Sequence, residues 1–238
     1  MAANGDSRQN RESAEAHKKL AEVGPLPPVA NPERREFCRT DLHAFLLSYF
    51  PETTGRAPFS EDQKGAILRM QLAIMNGGGR VLNLFPRGFG KTTISENAAL
   101  WAILYGHRRF IPIIGADEHA AKDNIESIKT ELMTNELLQE DFPEVSACVL
   151  HLENKAQRAR SQTQNGNPTF IQWGQDTLVL PSIKTATGFR YYRRPANGHL
   201  CIESGTVHEA AKSDPQGRVK AGRSHRANQR RDERHCDR

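Results

Sequence analysis

The chain has 238 residues, 37% of them hydrophobic, enough for one sizeable domain if the apolar residues are concentrated, and they are, between about Phe37 and Ile202. The net charge of +5 and isoelectric point near 9.1 permit a polyanionic partner without requiring one, since much of the positive excess lies at the chain ends. Four widely spaced cysteines without a CxxC pair suggest reduced thiols, and the lack of an apolar N-terminal core or an 18-residue apolar run points to a soluble, non-secreted protein.

Residues 1 to 35 are polar and broken by "GPLPPVANP", so they are expected to form a disordered arm that orders only on a partner. In "FCRTDLHAFLLSYFP", Phe37, Leu42, Phe45, Leu46 and Phe50 recur at helical spacing, which predicts a core helix stopped by Pro51. "FSEDQKGAILRMQLAIMNGGG" predicts a second helix, with Ser60 as N-cap, Glu61 and Asp62 in its first turn, and glycines 77–79 as terminator.

"RVLNLF" reads as a short strand leading into "PRGFGKTT". Next, "FIPIIGADEHAAKDNIESIKTELM" reads as a buried strand at Phe110 to Ile114, a Gly-Ala-Asp turn, and a helix with Ala120, Ile125, Ile128 and Leu132 on one face. Alternating strands and helices predict a parallel sheet flanked by helices. "CVLHLE", "TFIQW" and "TLVLP" read as further strands. From Glu203 to Arg238 no aromatic residue and no Leu, Ile or Met occurs, so 203–238 is expected to be a basic disordered tail.

The chemistry centres on "FPRGFGKTT". An apolar strand would deliver the chain to a sheet edge, Gly88 and Gly90 would let backbone N–H groups approach phosphate oxygens, and the helix opening at Lys91 would offer its positive end. Lys91 would contact the β- and γ-phosphates of ATP and the Thr92 hydroxyl would hold Mg²⁺; Arg87, Phe89 and Thr93 complete the candidate loop. The usual first glycine of a Walker A loop is replaced by Phe85, and Pro86 and Arg87 make the loop's entry stiffer and more basic. The plain alternative is a strand-turn-helix with a solvated arginine.

"FSEDQ", "FPRGFGKTT", "ALWAILYGHRRFIPIIGADEHAAKDNIESIKTEL" and "NELLQEDFPEV" together resemble the ATPase domain of large terminase subunits, the DNA-packaging motors of tailed bacteriophages and prophages. The resemblance spans about Phe37 to Ile202 and implies an α/β P-loop NTPase fold of the RecA type over residues 36–202. Arg87 matches the family's basic residue early in the loop, and Gln63 falls where a glutamine upstream of the loop contacts adenine. Double-stranded DNA, a small terminase subunit and a portal protein are the implied partners, in the cytoplasm of a bacterial host.

Hydrolysis would need a strand-end carboxylate to organise Mg²⁺ and position water, and no residue stands out for it. Glu153 and Glu203 each end a short apolar run, and Asp214 has no strand before it. The family's second acidic strand and its nuclease belong later in a full-length chain, so a truncation before them is expected, with nucleotide bound but poorly turned over. Other readings stay open: a different RecA-like helicase or ATPase, or a non-catalytic nucleotide- or DNA-binding remnant. Asp117 and Glu118 read as acids at a helix N-terminus. Trp101 and Tyr105, one turn apart, read as core packing, and His199 with Cys201 and His235 with Cys236 are too few ligands for a metal site.

Overall fold

The computed structural model describes residues 15, 21–54, 57–77, 79–184, 190–191 and 201–205, with residues 184, 190–191 and 201–205 described as backbone only. The basic stretch from 206 onward, with His235 and Cys236, lies outside the described residues, as does His199.

Helices α1 (Pro32–Phe37), α2 (Leu42–Tyr49), α3 (Pro51–Thr54) and α4 (Glu61–Asn76) come first. Helix α2 starts because Asp41 accepts a hydrogen bond from the Ala44 N–H, and it buries Leu42, Phe45, Leu46 and Tyr49. Phe37, expected in the core, is 69% exposed, because it ends α1 instead of belonging to α2. Helix α4 carries the predicted N-cap as a full capping box: the Ser60 hydroxyl accepts from the Gln63 N–H while the Gln63 side chain accepts from the Ser60 N–H. Gly77, at φ 75°, ends it.

The segment 80–85, expected as a strand, is not paired with any described strand, and Leu82 and Leu84 are 79% and 81% exposed. It runs as extended chain into the loop before α5 (Lys91–Leu104). Helix α5 is the centre of the core: Leu100, Trp101 and Ile103 are fully buried. Trp101 Nε1 donates to the Cys38 carbonyl at 2.9 Å and Tyr105 Oη donates to the Arg35 carbonyl at 2.8 Å, so both rings are structural.

Strand β1 (Phe110–Ile114) follows, half-exposed instead of buried: Ile111 and Ile113 face the core while Ile114 is 47% exposed. Helix α6 (Glu118–Thr134) begins at Asp117, whose carboxylate accepts the Ala120 N–H, and buries Ala121, Ile125, Ile128 and Leu132. Then come α7 (Glu136–Asp141) and α8 (Pro143–His151). The run "CVLHLE" is thus mostly helix, not strand: Pro143 occupies the first turn of α8, Glu144 favours the helix dipole there, and Cys148 and Val149 fill the core from a helical face.

After a 3₁₀ turn at Ala156–Arg160, the strands are short: β2 (Thr163–Gln164) pairs with β3 (Asn167–Pro168), and β4 (Gln172–Trp173) with β5 (Thr177–Val179). Strand β6 (Ile183–Lys184) pairs with β7 (Arg190–Tyr191). Strand β8 (Cys201–Gly205) lies parallel to β1 and antiparallel to β5, giving a sheet in the order β1-β8-β5-β4 with α6 packed on it. One pair in this sheet is parallel, β1 with β8, and β8 runs three residues past the expected end of the domain at Ile202.

The end of the expected arm is part of the body. Val23 N–H donates to the Thr163 carbonyl, and the Glu22 carboxylate accepts from the Thr163 hydroxyl and from the Asn165 and Gly166 N–H groups. Those donors hold Glu22 below the usual carboxylate range, the Thr163 hydroxyl first among them. Arg34 and Arg35 of α1 then dock on α7 and α8, pairing with Asp141 and with Glu144. An acidic grip at Glu22 and paired arginines hold a segment that polar composition alone assigned to the arm.

Candidate functional site

The loop from Phe85 to Gly90 is built around two left-handed glycines, Gly88 at φ 81° and Gly90 at φ 74°. A side chain at either would be strained, yet a Cβ at Gly88 would meet nothing within 4 Å, so the loop's outer face is open. Gly90 is also the N-cap of α5 and offers no side chain to its first turn. The N–H groups of Lys91, Thr92 and Thr93 therefore start the helix without a side-chain cap, the arrangement that favours an anion.

Phe85, in place of the usual first glycine, closes the loop. Its ring stacks on Phe89 with centroids 4.9 Å apart and planes 22° apart. From α4, Gln63 Nε2 donates to the Phe89 carbonyl at 3.0 Å, while its oxygen completes the capping box. Gln63 thus ties the start of α4 to the loop. Lys91 folds back on its own loop, with Nζ donating at 2.7 Å to both the Phe85 and the Pro86 carbonyls. Arg87 and Thr92 are exposed, and Thr93 is half-buried.

Beside the loop lies a cleft of about 230 Å³, between α2, α3, the entry to α4 and one face of α5. Leu46, Pro58, Phe59 and Ile94 give it apolar walls, and Gln63, Gly88, Gly90 and Thr93 bring the loop to its mouth. Asn97, one turn beyond Thr93 on the same helical face, lines it too. The structure therefore brings Gln63, Gly88, Phe89, Gly90 and Thr93 to one cleft and leaves Arg87 and Thr92 on the outer side of the turn. Asn97 was not read from the sequence, although a polar residue between Ile94 and Trp101 on a buried face was a signal for it.

Of the acids considered from sequence, Asp214 lies outside the described residues, and the others are engaged elsewhere or described as backbone only. Glu153, in a turn at φ 47°, is exposed and paired with Arg158 at 2.7 Å and Lys155 at 3.3 Å, which hold its carboxyl below the usual range. Glu203 falls in the middle of β8, opposite Pro112. Asp117 caps α6, and Glu118 pairs with Lys122. Glu96 of α5 is half-buried, accepts from the Ser127 hydroxyl at 3.0 Å, and is pushed up by burial. Among the described residues no group of three or more His, Cys, Asp or Glu is placed to hold a metal.

Among the described residues no helix is long and apolar enough to cross a membrane. Comparison with family models, with curated proteins and with solved structures finds no match for this chain.

Proposed function

We propose that this chain binds ATP with Mg²⁺ through the loop Arg87–Thr93, as the nucleotide-binding part of an α/β P-loop ATPase of the terminase large-subunit type. The observation that carries the reading is the pair of left-handed glycines leading into a helix whose first turn has no side-chain cap, with the Lys91 ammonium folded onto the loop. An ammonium bonded to two carbonyls can exchange them for phosphate oxygens, and the open space over Gly88 leaves room for them. Arg87 adds a second cation at the outer edge of the same turn.

Thr92, exposed in the first turn of α5, would hold the magnesium ion through its hydroxyl. When bound, the ion neutralises phosphate charge. Gln63 positions the Phe89 carbonyl and lies between the loop and the cleft, which supports placing the nucleoside there. In this reading double-stranded DNA is the polymer moved, with a small terminase subunit and a portal protein as partners, in the cytoplasm of a bacterial host. The resemblance at "FSEDQ" and "FPRGFGKTT" supports that part.

The test is titration of a fluorescent ATP analogue with Mg²⁺ into the wild type and Lys91→Ala. Loss of the ammonium should weaken binding by at least about tenfold, a charge-assisted contact being worth roughly 1.5–3 kcal/mol. Equal affinity in the two proteins would overturn the loop assignment. Phosphate release, with and without double-stranded DNA, then measures whether the bound nucleotide is turned over.

A further inference from the structure

Asn97 is 5% exposed, and no described hydrogen bond engages its carboxamide, which keeps access to the cleft. Buried amides are almost always bonded, because an unmade hydrogen bond costs about 1–3 kcal/mol. This one faces the cleft beside the loop. Around it Leu46 and Ile94 are apolar, Phe59 offers a ring, and Gln63 is committed to Ser60 and Phe89, while Thr53, Thr54 and Thr93 also line the cleft. Its carboxamide is therefore open to whatever enters the cleft, solvent or ligand.

We infer that Asn97 reads the edge of an adenine base, and so sets the base preference of the nucleotide site. The inference rests on the proposed phosphate loop. Asn97 lies seven residues beyond Gly90 on α5, roughly 10 Å along the axis at 1.5 Å per residue, and on the face that carries Thr93 and Ile94. A nucleotide with its phosphates at the helix N-terminus spans that distance with its ribose and base. The apolar walls suit the faces of a flat ring, and Asn97 adds a carboxamide seven residues in from the start of the helix.

The chemistry of the carboxamide narrows the base. It offers one acceptor beside one donor pair, and adenine offers the complement, its N6 amino group beside N7 or N1. The amide oxygen accepts from N6–H while the amide nitrogen donates to the ring nitrogen. Guanine presents two acceptors at its N7/O6 edge, against which the same amide makes one bond and one clash of lone pairs. A carboxylate at this position would only accept, which suits guanine N1–H and N2–H and opposes adenine.

The experiment measures binding of ATP, GTP and inorganic tripolyphosphate, each with Mg²⁺, to the wild type, Asn97→Asp, Asn97→Leu and Lys91→Ala. The wild type should favour ATP over GTP. Asn97→Leu keeps the volume and removes both hydrogen bonds, so it should lose about ten- to a hundredfold in ATP affinity while binding tripolyphosphate as before. Asn97→Asp should turn the ratio toward GTP. Retained tripolyphosphate binding shows that each variant keeps its loop.

An unchanged ATP to GTP ratio in both Asn97 variants, with Lys91→Ala still weakening all three ligands, would overturn the role of Asn97 and leave the phosphate loop standing. Equal loss of tripolyphosphate and ATP in Asn97→Leu would also overturn it, since Asn97 would then be supporting the helix. If Lys91→Ala binds all three ligands as the wild type does, the loop assignment and this inference fail together.

Discussion

Tyr49 donates its hydroxyl to Asp141 Oδ2 at 2.7 Å, across 92 residues of sequence, on the oxygen that also accepts Arg34 Nε at 2.6 Å. The other oxygen, Oδ1, accepts the Asn31 N–H at 3.0 Å. One fully buried carboxylate thus fastens the start of α1, the end of α2 and the end of α7. Asp141→Ala leaves a buried hydroxyl and a partly buried guanidinium without their partner, and should cost about 3 kcal/mol. Tyr49→Phe, which removes one donor, should cost only about 1 kcal/mol. Urea unfolding of the two variants checks the ranking, and a loss below 1 kcal/mol for Asp141→Ala would show that the junction does not hold α1 in place.

Glu96 has a pH signature of its own. Burial raises its pKa above the ordinary 4.5, against the lowering effect of the Ser127 hydroxyl. The ionised form is therefore less favoured in the folded chain than in the unfolded one. The contribution of Glu96 to stability is fully present below the ordinary value and is lost as pH rises through the raised one. Glu96→Gln keeps an acceptor for Ser127 and does not ionise, so it should be more stable than the wild type at pH 7.5. The gain should close as pH falls below 4.5. Equal denaturation midpoints at pH 7.5 would contradict this.

Two glycines should respond to alanine to different degrees and for different reasons. At Gly115 a Cβ would sit 2.5 Å from the Ala121 nitrogen and 2.7 Å from the Asp117 oxygen, both backbone atoms of the turn into α6. Gly115→Ala should cost about 3 kcal/mol, because neither neighbour can move without uncapping α6. At Gly88 the Cβ would meet nothing, and the cost is that of the left-handed conformation, about 1–2 kcal/mol. Thermal melts that rank Gly88→Ala as the more damaging change would mean that the turn at Gly115 is looser than described.

Leu82 and Leu84 test the course of the chain before the loop. Exposed as they are, the double change Leu82→Ser with Leu84→Ser should alter stability by no more than about 1 kcal/mol, two surface substitutions of about 0.5 each. A buried strand at this position would lose about 2–5 kcal/mol for each leucine truncated. Chemical denaturation therefore separates an extended surface segment from a core strand.

The parts of the fold legible in sequence are those fixed by local chemistry. Ser60 at the N-cap of α4, Asp117 at the start of α6, and the face of Ile125, Ile128 and Leu132 all follow from rules that operate within one or two helical turns. The segment "CVLHLE" misled because a short apolar run has no period long enough to separate strand from helix, and the Pro143 and Glu144 before it were the better guide. "RVLNLF" misled in the opposite way: its apolar residues lack a described partner strand, so composition overrode context. The ties of Arg34, Tyr49 and Asn31 to Asp141 were not legible, because side-chain bonds across more than ninety residues leave no local pattern.

At the candidate site the loop was legible and the cleft was not. Gly88, Gly90 and Lys91 announce themselves by spacing, whereas Asn97 gains its meaning only when α2 and the entry to α4 close over one side of α5. The exposed Arg87 and Thr92 were grouped with the others by their order in the chain, and the turn separates them to its outer side.

The two short bonds from Lys91 to the Phe85 and Pro86 carbonyls make the loop its own internal competitor. Under the proposed nucleotide role, a triphosphate would have to displace both carbonyls from the ammonium, so its net gain would be the difference between the two sets of bonds. Side-chain release of this kind takes nanoseconds, so it would lower the affinity without limiting the rate, and association followed by stopped flow should climb in proportion to nucleotide concentration.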